Sequence, residues 1–215
     1  MSGKRILFLS FPLIIAFIII GVFYHSFPFS TWIETKGIIP RSLNGLWGLL
    51  FVHFIHGDSN HLWANIPNLV FLMFISIAFF PSIVKRIFLY TFFLTPILMW
   101  VFCRGNVMHI GASAWIYALF GFLFFTGILA KNPKVRAVTL FTGFAFGGMF
   151  WGILPLQPGV SWDGHACGLA AGVISAILIK SRVALLFPVV AKDWQNEMDD
   201  EYPDHYEQFD QSIRR

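Results

Sequence analysis

Six long runs of apolar residues set the strongest constraint on what this chain can fold into. They lie near residues 6–23, 62–80, 87–103, 110–130, 137–156 and 164–179. Each is about as long as the ~20 residues that a helix needs to cross the hydrocarbon of a bilayer. Spanning strands are disfavoured, because the runs lack the alternation of outer-membrane barrels and exceed their ~10-residue segments. The sequence therefore predicts an all-α membrane protein with six transmembrane helices.

The composition and the chain ends support this organisation. Of the 215 residues, 57% are hydrophobic and 12% are charged, which is far from the profile of a soluble domain. The run near residues 6–23 is too long for the apolar part of a signal peptide and has no small-residue cleavage site after it, so we expect it to remain as the first span. We expect a membrane core over residues 1–182 and an acidic cytoplasmic tail with eight carboxylates over residues 183–215.

The basic residues are unevenly distributed between the two ends of the spans. If the N-terminus is cytoplasmic, twelve Lys and Arg residues fall inside, and Lys36, Arg41 and Arg104 fall outside. Cytoplasmic enrichment of Lys and Arg sets the orientation of membrane proteins, so both termini are expected in the cytoplasm. The same orientation role accounts for the net charge of +4, and nothing indicates nucleic-acid binding. With no transit peptide visible, we expect a bacterial plasma membrane.

Polar side chains occur at the outer starts of three of these spans. His61 and Asn65 begin the second span, Ser113 begins the fourth and His165 begins the sixth. Each residue alone has a simpler interpretation, as a helix cap for the serine or a satisfied interfacial residue for a histidine. Their convergence at one depth indicates a functional site, because polar groups in hydrocarbon are costly unless they are paired.

Ser113 and His165 form the minimum pair for nucleophilic acyl transfer, since a hydroxyl is a weak nucleophile until an imidazole accepts its proton. Small residues on the fourth and sixth spans permit the close helix approach that this pair needs; they are Ala114, Ala118, Gly121, Gly164, Gly168 and Gly172. His61 and Asn65 lie four residues apart, hence on one helix face. They and the free N–H groups at the start of the fourth span are suited to stabilise an oxyanion.

Three motifs resemble those of the rhomboid intramembrane serine proteases. "HLWANIPNL" (residues 61–69) resembles the His-x-x-x-Asn motif on helix two of that family, and "GASAWIYALFGF" (111–122) resembles its serine motif on helix four. "GHACGLAAG" (164–172) resembles the His-bearing glycine stripe on helix six. The resemblance covers nearly the whole membrane core, and it implies a six-helix rhomboid-like bundle with a partly membrane-embedded first loop.

This resemblance also implies roles for individual residues. Ser113 would be the nucleophile and His165 the general base of a dyad without a carboxylate. His61 and Asn65 would line the oxyanion hole, and Tyr117 would stack on His165. The substrates would be single-span membrane proteins cleaved near the outer face, with no cofactor. Where the family usually has glycine after the serine, this chain has an alanine, which adds a methyl group to a close-packed position.

Two alternatives stay open at this point. One is a catalytically silent rhomboid-like protein that binds transmembrane helices without cutting them. The other is a small transporter or channel, which would require polar groups at several depths of the bundle. The sequence does not indicate an oligomeric state.

Several other polar residues have simpler assignments. His53, His56 and Asp58 lack a standard metal-ligand spacing, so we expect no metal site there and expect His56 to brace the first loop through a hydrogen bond. The segment at residues 43–56 is predicted to form an amphipathic interfacial helix. Asp163 is expected to cap the sixth helix, and His25 and His109 are expected to be interfacial.

Overall fold

The computed structural model describes residues 35–130 and 132–188, together with Ile15 and Ile19. The described part of the chain is helical and contains no named strand. Its α-helices are α1 (Gly48–Phe51), α2 (Ser59–Phe79), α3 (Val84–Phe102), α4 (Ser113–Leu129), α5 (Pro133–Phe146) and α6 (Trp162–Leu186), with 3₁₀ helices at Leu43–Trp47, Val52–Phe54 and Gly147–Ile153. The predicted first span and most of the predicted tail lie outside the described residues, so the expected count of six spans stays a prediction.

Helices α2, α3 and α6 are long and apolar enough to cross a membrane. They contain 21, 19 and 25 residues and coincide with the second, third and sixth predicted spans. At 1.5 Å per residue, α2 extends about 31 Å, close to the ~30 Å thickness of bilayer hydrocarbon. Helix α4 is shorter, with 17 residues, and is also apolar. These helices indicate a membrane-embedded helical bundle.

The fifth predicted span is not one continuous α-helix. The apolar run near residues 137–156 predicts a single span, whereas α5 ends at Phe146 and a 3₁₀ helix follows over Gly147–Ile153. Two consecutive glycines at 147 and 148 weaken the helix at this point, because glycine has low helix propensity. Pro155, which lacks an N–H donor, prevents the helix from resuming. The 3₁₀ helix lies beside the start of α6, where its carbonyl groups become available to other side chains.

Helix α4 lies at the centre of the bundle, and most of its side chains are buried. Its closest neighbour is α6, because a Cβ atom added at Gly168 would collide with the carbonyl oxygen of Ala114. Gly172 makes a similar backbone approach one turn further along. Small residues permit this contact between helix backbones, as the sequence predicts. Gly164 differs, because a Cβ there would meet the Ser161 hydroxyl first and Met99 of α3 next, so its nearest contacts would not be with α4.

Five of the buried hydroxyl groups in the described part of the bundle are paired with the backbone of their own helices. Each donates to the carbonyl oxygen four residues earlier at 2.6–2.8 Å; the residues are Ser76, Thr91, Thr95, Thr142 and Ser175. Each of these residues has a single O–H group, which this bond uses. These five hydroxyls therefore provide no free donors, whereas Thr139 donates to the Phe124 carbonyl of α4 at 2.7 Å and the buried Thr126 hydroxyl has no partner among the described residues.

The described part of the first loop is attached to the segment that precedes α4. Ile38 and His109 form an antiparallel bridge, with N···O distances of 2.9 and 2.8 Å. The Gly111 N–H donates to the Val52 carbonyl at 3.0 Å. These bonds fix the backbone immediately ahead of Ser113.

The predicted amphipathic segment of the first loop is helical, as a succession of 3₁₀ helix, α1 and 3₁₀ helix over residues 43–54. Val52 and His53 are buried against the bundle. Its outward side exposes large apolar side chains, which are Leu43, Leu46, Trp47 and Leu50. The segment therefore has one packed face and one exposed apolar face.

Candidate active site

Ser113 Oγ and His165 Nε2 lie 2.9 Å apart, within hydrogen-bonding distance. Ser113 is the first residue of α4, and His165 lies in the first turn of α6. Because the backbones of these two helices touch one turn below, side chains at their starts are brought together. We call this end of the bundle, where α2, α4 and α6 begin, the site end.

The other ring nitrogen of His165 determines which nitrogen can accept a proton. Nδ1 is 2.9 Å from the carbonyl oxygen of Gly152 in the 3₁₀ helix. A carbonyl can only accept, so Nδ1 of the neutral ring carries the hydrogen and Nε2 has a free lone pair. The Ser113 hydroxyl therefore donates to Nε2. A backbone carbonyl here orients the ring, as a carboxylate does in a Ser-His-Asp triad.

Tyr117 holds the plane of the His165 ring. The two rings are stacked with centroids 4.3 Å apart and an interplanar angle of 10°. The Tyr117 hydroxyl donates to the Met149 carbonyl at 2.7 Å, which fixes the far end of the phenol. Tyr117 lies four residues after Ser113, hence on the same face of α4. The tyrosine thus connects α4, which carries Ser113, with the His165 imidazole and the 3₁₀ helix.

His61 and Asn65 face the same cavity as Ser113 and His165. The cavity has a volume of about 850 Å³ and opens at the site end. Asn65 Nδ2 donates to the His61 carbonyl at 2.8 Å. An amide nitrogen has two N–H groups, so one remains for a ligand in the cavity.

Because Gly111 has no side chain, the His61 ring and the Ser113 hydroxyl can both lie close to its Cα atom. Its φ of +110° lies in a region that residues with a Cβ rarely adopt. A Cβ there would also lie 2.8 Å from His61 Cε1 and Nε2, and 3.7 Å from Ser113 Oγ. Both the conformation and the space therefore require glycine two residues before the serine.

His56 braces the first loop, as the sequence predicts, and it also supports the serine segment. Its Nδ1 lies 3.2 Å from the Phe54 carbonyl, and its Nε2 accepts from the Ala112 N–H at 3.4 Å. The ring packs edge-on against His61, with centroids 5.0 Å apart. His56 thus connects the first loop, the residue before Ser113 and a cavity-lining histidine.

The methyl group of Ala114, where the resembling family usually has glycine, packs in a small buried apolar cluster. The other members of the cluster are Ile38, Val52, Met99, Cys103 and Cys167. Ala114 does not line the cavity. The additional methyl is therefore accommodated behind Ser113 and away from the cavity.

Asp163 binds Arg104, so the prediction that it caps α6 is wrong. Its Oδ2 accepts from the Arg104 backbone N at 2.9 Å and from Nε at 3.0 Å, and its Oδ1 accepts from Nη2 at 3.1 Å. A charge-assisted bidentate pair is stronger than a bond to a helix N–H. No local pattern indicates this partner, because Arg104 lies 59 positions away in the chain.

His109 is buried, so the prediction that it is interfacial is wrong; His25 lies outside the described residues. Only 1% of His109 is exposed, because the loop before α4 folds beneath the start of α6. Burial lowers the pKa of His109, against an opposing effect of Asp163, so the ring is neutral near pH 7. Its Nε2 lies 3.3 Å from the Arg104 carbonyl and therefore carries the hydrogen. Nδ1 accepts from the Ser161 hydroxyl at 2.6 Å.

One group of metal-ligand side chains occurs among the described residues. Ligand-type atoms of Cys103, His109 and Asp163 all lie within 4.8 Å of one another. The Arg104 guanidinium already binds both oxygens of the Asp163 carboxylate. The Arg104 guanidinium therefore supplies the positive charge that a metal ion would bring to this cluster.

Comparison with known proteins gives a family match and similarity to mycobacterial proteins. The Rhomboid domain family model matches residues 43–182. An uncharacterized protein of Mycobacterium tuberculosis is 32% identical over 158 residues, covering 69% of this chain and 65% of that relative. An uncharacterized protein of Mycobacterium leprae is 29% identical over 168 residues, covering 69% and 62% respectively. The matched part of the chain thus spans less than two thirds of the length of these relatives.

Proposed function

Because the chain belongs to the rhomboid family, we propose that it is an intramembrane serine endopeptidase that cleaves membrane-spanning helices with a Ser113–His165 dyad. The observation that carries this proposal is the 2.9 Å contact between Ser113 Oγ and the unprotonated Nε2 of His165, whose Nδ1 is bonded to Gly152. The arrangement supplies a nucleophile, a base in the correct protonation state and an element that orients the base.

In the proposed mechanism, Ser113 Oγ attacks the scissile carbonyl while His165 Nε2 accepts the hydroxyl proton. The tetrahedral intermediate collapses as the imidazolium gives this proton to the departing amine, which leaves an acyl-enzyme on Ser113. Water, deprotonated by the same Nε2, then hydrolyses the ester and restores the serine. Stacking on Tyr117 and the bond to Gly152 keep the ring aligned through both proton transfers.

The negative charge of the intermediate requires donors on the cavity side of Ser113. In our proposal these are the free amide N–H of Asn65, the His61 ring and the first backbone N–H groups of α4. The first N–H groups of a helix lack intrahelical partners, and the helix dipole favours an anion there. Donors fixed in advance stabilise the transition state without reorganisation.

A transmembrane helix must unwind locally before its carbonyl can reach Ser113, because intrahelical hydrogen bonds shield the backbone. Substrates with Gly or Pro near the scissile bond are therefore expected to be cleaved faster, since these residues lower the cost of opening the helix. The cavity of about 850 Å³ can hold a short extended segment rather than a whole helix.

The proposed location is a bacterial plasma membrane with the site end facing outward and both termini in the cytoplasm. Among the described residues, the site end carries Lys36, Arg41 and Arg104, whereas the opposite end carries Lys85, Arg86, Lys134, Arg136, Lys180 and Arg182. This asymmetry supports the orientation. The exposed apolar side chains of residues 43–50 support an embedded first loop.

The proposal is tested by reconstituting the purified chain into phospholipid vesicles with a single-span substrate that has Gly and Pro near its outer end. We expect two fragments, and mass spectrometry should place the cut in the outer third of the span. Co-purification of the intact span without cleavage would instead favour the silent helix-binding alternative. Neither cleavage nor binding over a panel of spans would contradict both functions.

Replacement of Asn65 by alanine is expected to lower kcat by about 10²- to 10³-fold, the usual effect of removing one oxyanion donor. Asn68→Ala is the matched control, because Asn68 lies on the same helix and makes the same type of bond to the carbonyl four residues earlier. Asn68 does not line the cavity. Initial cleavage rates of both variants check the prediction, and equal rates would remove Asn65 from the mechanism.

The two functions of Tyr117 are separable by mutation. Tyr117→Phe retains the stacked ring and loses one hydrogen bond, which is worth about 1 kcal/mol, so kcat should fall only a few-fold. Tyr117→Ala also frees the imidazole and should lower kcat by roughly 10²-fold, as expected for a misplaced catalytic group. Saturating cleavage rates distinguish the variants, with Tyr90→Phe on α3 as the control. If the phenylalanine and alanine variants are equally slow, the ring does not act through stacking.

A further inference from the structure

Two separate segments of the chain carry the proposed dyad, and four side chains connect them. One segment is the loop at residues 103–112, which leads directly into Ser113. The other is the start of α6 at residues 161–165, which carries His165. Arg104 and His109 belong to the loop, and Asp163 and Ser161 belong to the helix start. We call these four residues the Arg104–Asp163 network.

The stronger link of the network is the ion pair. The Arg104 guanidinium binds both Asp163 oxygens, and its backbone N–H adds a third bond to the same carboxylate. The Asp163 side chain is 9% exposed, whereas that of Arg104 is 48% exposed. The guanidinium also lies over the Trp162 ring, 5.2 Å from its centroid. A nearly buried carboxylate thus holds the arginine side chain and the loop backbone at once.

The second link joins His109 to Ser161. The hydroxyl of Ser161, at the N-cap position of α6, lies 2.6 Å from His109 Nδ1. The backbone of His109 is itself fixed, because it pairs in both directions with Ile38 of the first loop. Ser161 is therefore attached to a residue that cannot move independently of the first loop.

The packing of α6 explains why its first turn needs these links. Gly168 fixes the helix against α4 by backbone contact with Ala114. His165 lies above that contact, nearer the free end of the helix. A tilt of the first turn about Gly168 would therefore change the distance between His165 Nε2 and Ser113 Oγ. The network binds the turn at Ser161 and Asp163, on the N-terminal side of His165.

We propose that the Arg104–Asp163 network is a positioning device that holds the first turn of α6, and with it His165, at the distance from Ser113 required for proton transfer. The inference rests on the proposed function of the Ser113–His165 dyad. None of the four residues takes part in bond making or breaking. They act through His165, so their loss should lower the rate of the chemical step. Arg104, His109 and Ser161 also line the cavity and Asp163 does not, so Asp163 variants are the ones that should leave substrate affinity largely unchanged.

The test compares variants of Asp163 and Arg104 in the full-length chain, purified in detergent. Asp163→Asn keeps the shape and removes the charge, Asp163→Glu keeps the charge, and Arg104→Lys keeps one charged donor but loses the bidentate geometry. The matched control is Arg41→Ala, because Arg41 lies at the same end and donates to the Val101 carbonyl of α3 at 2.8 Å. That bond does not involve α6. The readouts are kcat and KM on a single-span substrate, the rate of Ser113 labelling by a small fluorophosphonate, and the melting temperature.

We expect Asp163→Asn and Arg104→Lys to lower kcat and the labelling rate together by roughly 10- to 100-fold, the cost of misplacing a catalytic group. KM of Asp163→Asn should change by less than about threefold, since Asp163 does not line the cavity and the dyad rather than substrate binding is affected. Asp163→Glu should recover most of the rate, because the exposed arginine can shift to follow a longer carboxylate. In the Arg41→Ala control, the fluorophosphonate should label Ser113 at the native rate.

Several outcomes would overturn the inference. Native labelling rates in folded Asp163→Asn and Arg104→Lys would show that the dyad does not need the network. An Asp163→Glu variant as slow as Asp163→Asn would show that charge does not matter, and a change confined to KM would show a substrate-binding role. If either Asp163→Asn or Arg104→Lys fails to fold, the labelling rate of the other variant tests the inference. Absence of labelling in the native chain would instead contradict the proposed function itself.

Discussion

Ser113→Ala is expected to fold normally and to show no detectable cleavage of a transmembrane-helix substrate. In the proposed mechanism the hydroxyl oxygen of Ser113 forms the acyl-enzyme, so its removal takes away the nucleophile. Removing the serine or histidine of a serine protease costs on the order of 10⁶-fold in kcat. His165→Ala should be as inactive, because a serine hydroxyl is a poor nucleophile without its base.

Folding should survive Ser113→Ala, because it removes a single hydrogen bond worth about 1 kcal/mol. His165→Ala also removes the bond to Gly152 and the stacking on Tyr117, so it should lower the melting temperature further. The double variant should be no slower than either single one, since residues that act as a unit have non-additive effects. Ser181→Ala, at the opposite end of α6, is the control and should retain full activity. Cleavage by Ser113→Ala at a measurable fraction of the native rate would contradict the proposed nucleophile.

Gly168→Val is expected to have the second large effect, on both stability and activity. A Cβ atom at this position would collide with the Ala114 carbonyl, which belongs to backbone and cannot move aside. Overpacking of this kind costs about 1–3 kcal/mol when side chains can adjust, and a larger loss is expected against backbone. The variant must separate α6 from α4, which would also break the Ser113–His165 contact.

The matched control is Gly148→Val. A Cβ added at Gly148 would meet nothing within 4 Å, so the same substitution should be tolerated there. Melting temperature in detergent and fluorophosphonate labelling are the measurements. A Gly168→Val variant that melts and labels like Gly148→Val would show that the two helices do not approach as described.

The features predicted from the sequence are those encoded by local pattern. Apolar runs predict α2, α3 and α6, because a span needs about 20 apolar residues. Successive spans cross the membrane in opposite directions, so the second, fourth and sixth spans begin on the same side of it. This places His61, Ser113 and His165 at one end. The stripes of small residues predict that α4 and α6 approach. Each apolar run and each stripe lies within one short segment, whereas the orientation is read from basic residues along the whole chain.

The features that the sequence did not reveal depend on backbone groups and on distant partners. The carbonyls of Gly152 and Met149, which orient His165 and Tyr117, have no side-chain signature. They become available only because the fifth apolar run breaks into a 3₁₀ helix. Asp163 resembles a helix cap locally, and its actual partner, Arg104, comes near only through the packing of α3 against α6.

The most direct test of the central claim is fluorophosphonate labelling of the native protein, with the modified residue identified by mass spectrometry. An activated serine displaces fluoride and keeps the phosphoryl group, whereas ordinary serines react very slowly. We predict one adduct, on Ser113, that does not form in His165→Ala or in native-sequence protein denatured before the probe is added. An adduct at another residue, or equal labelling of Ser113 when His165 is absent, would contradict the account.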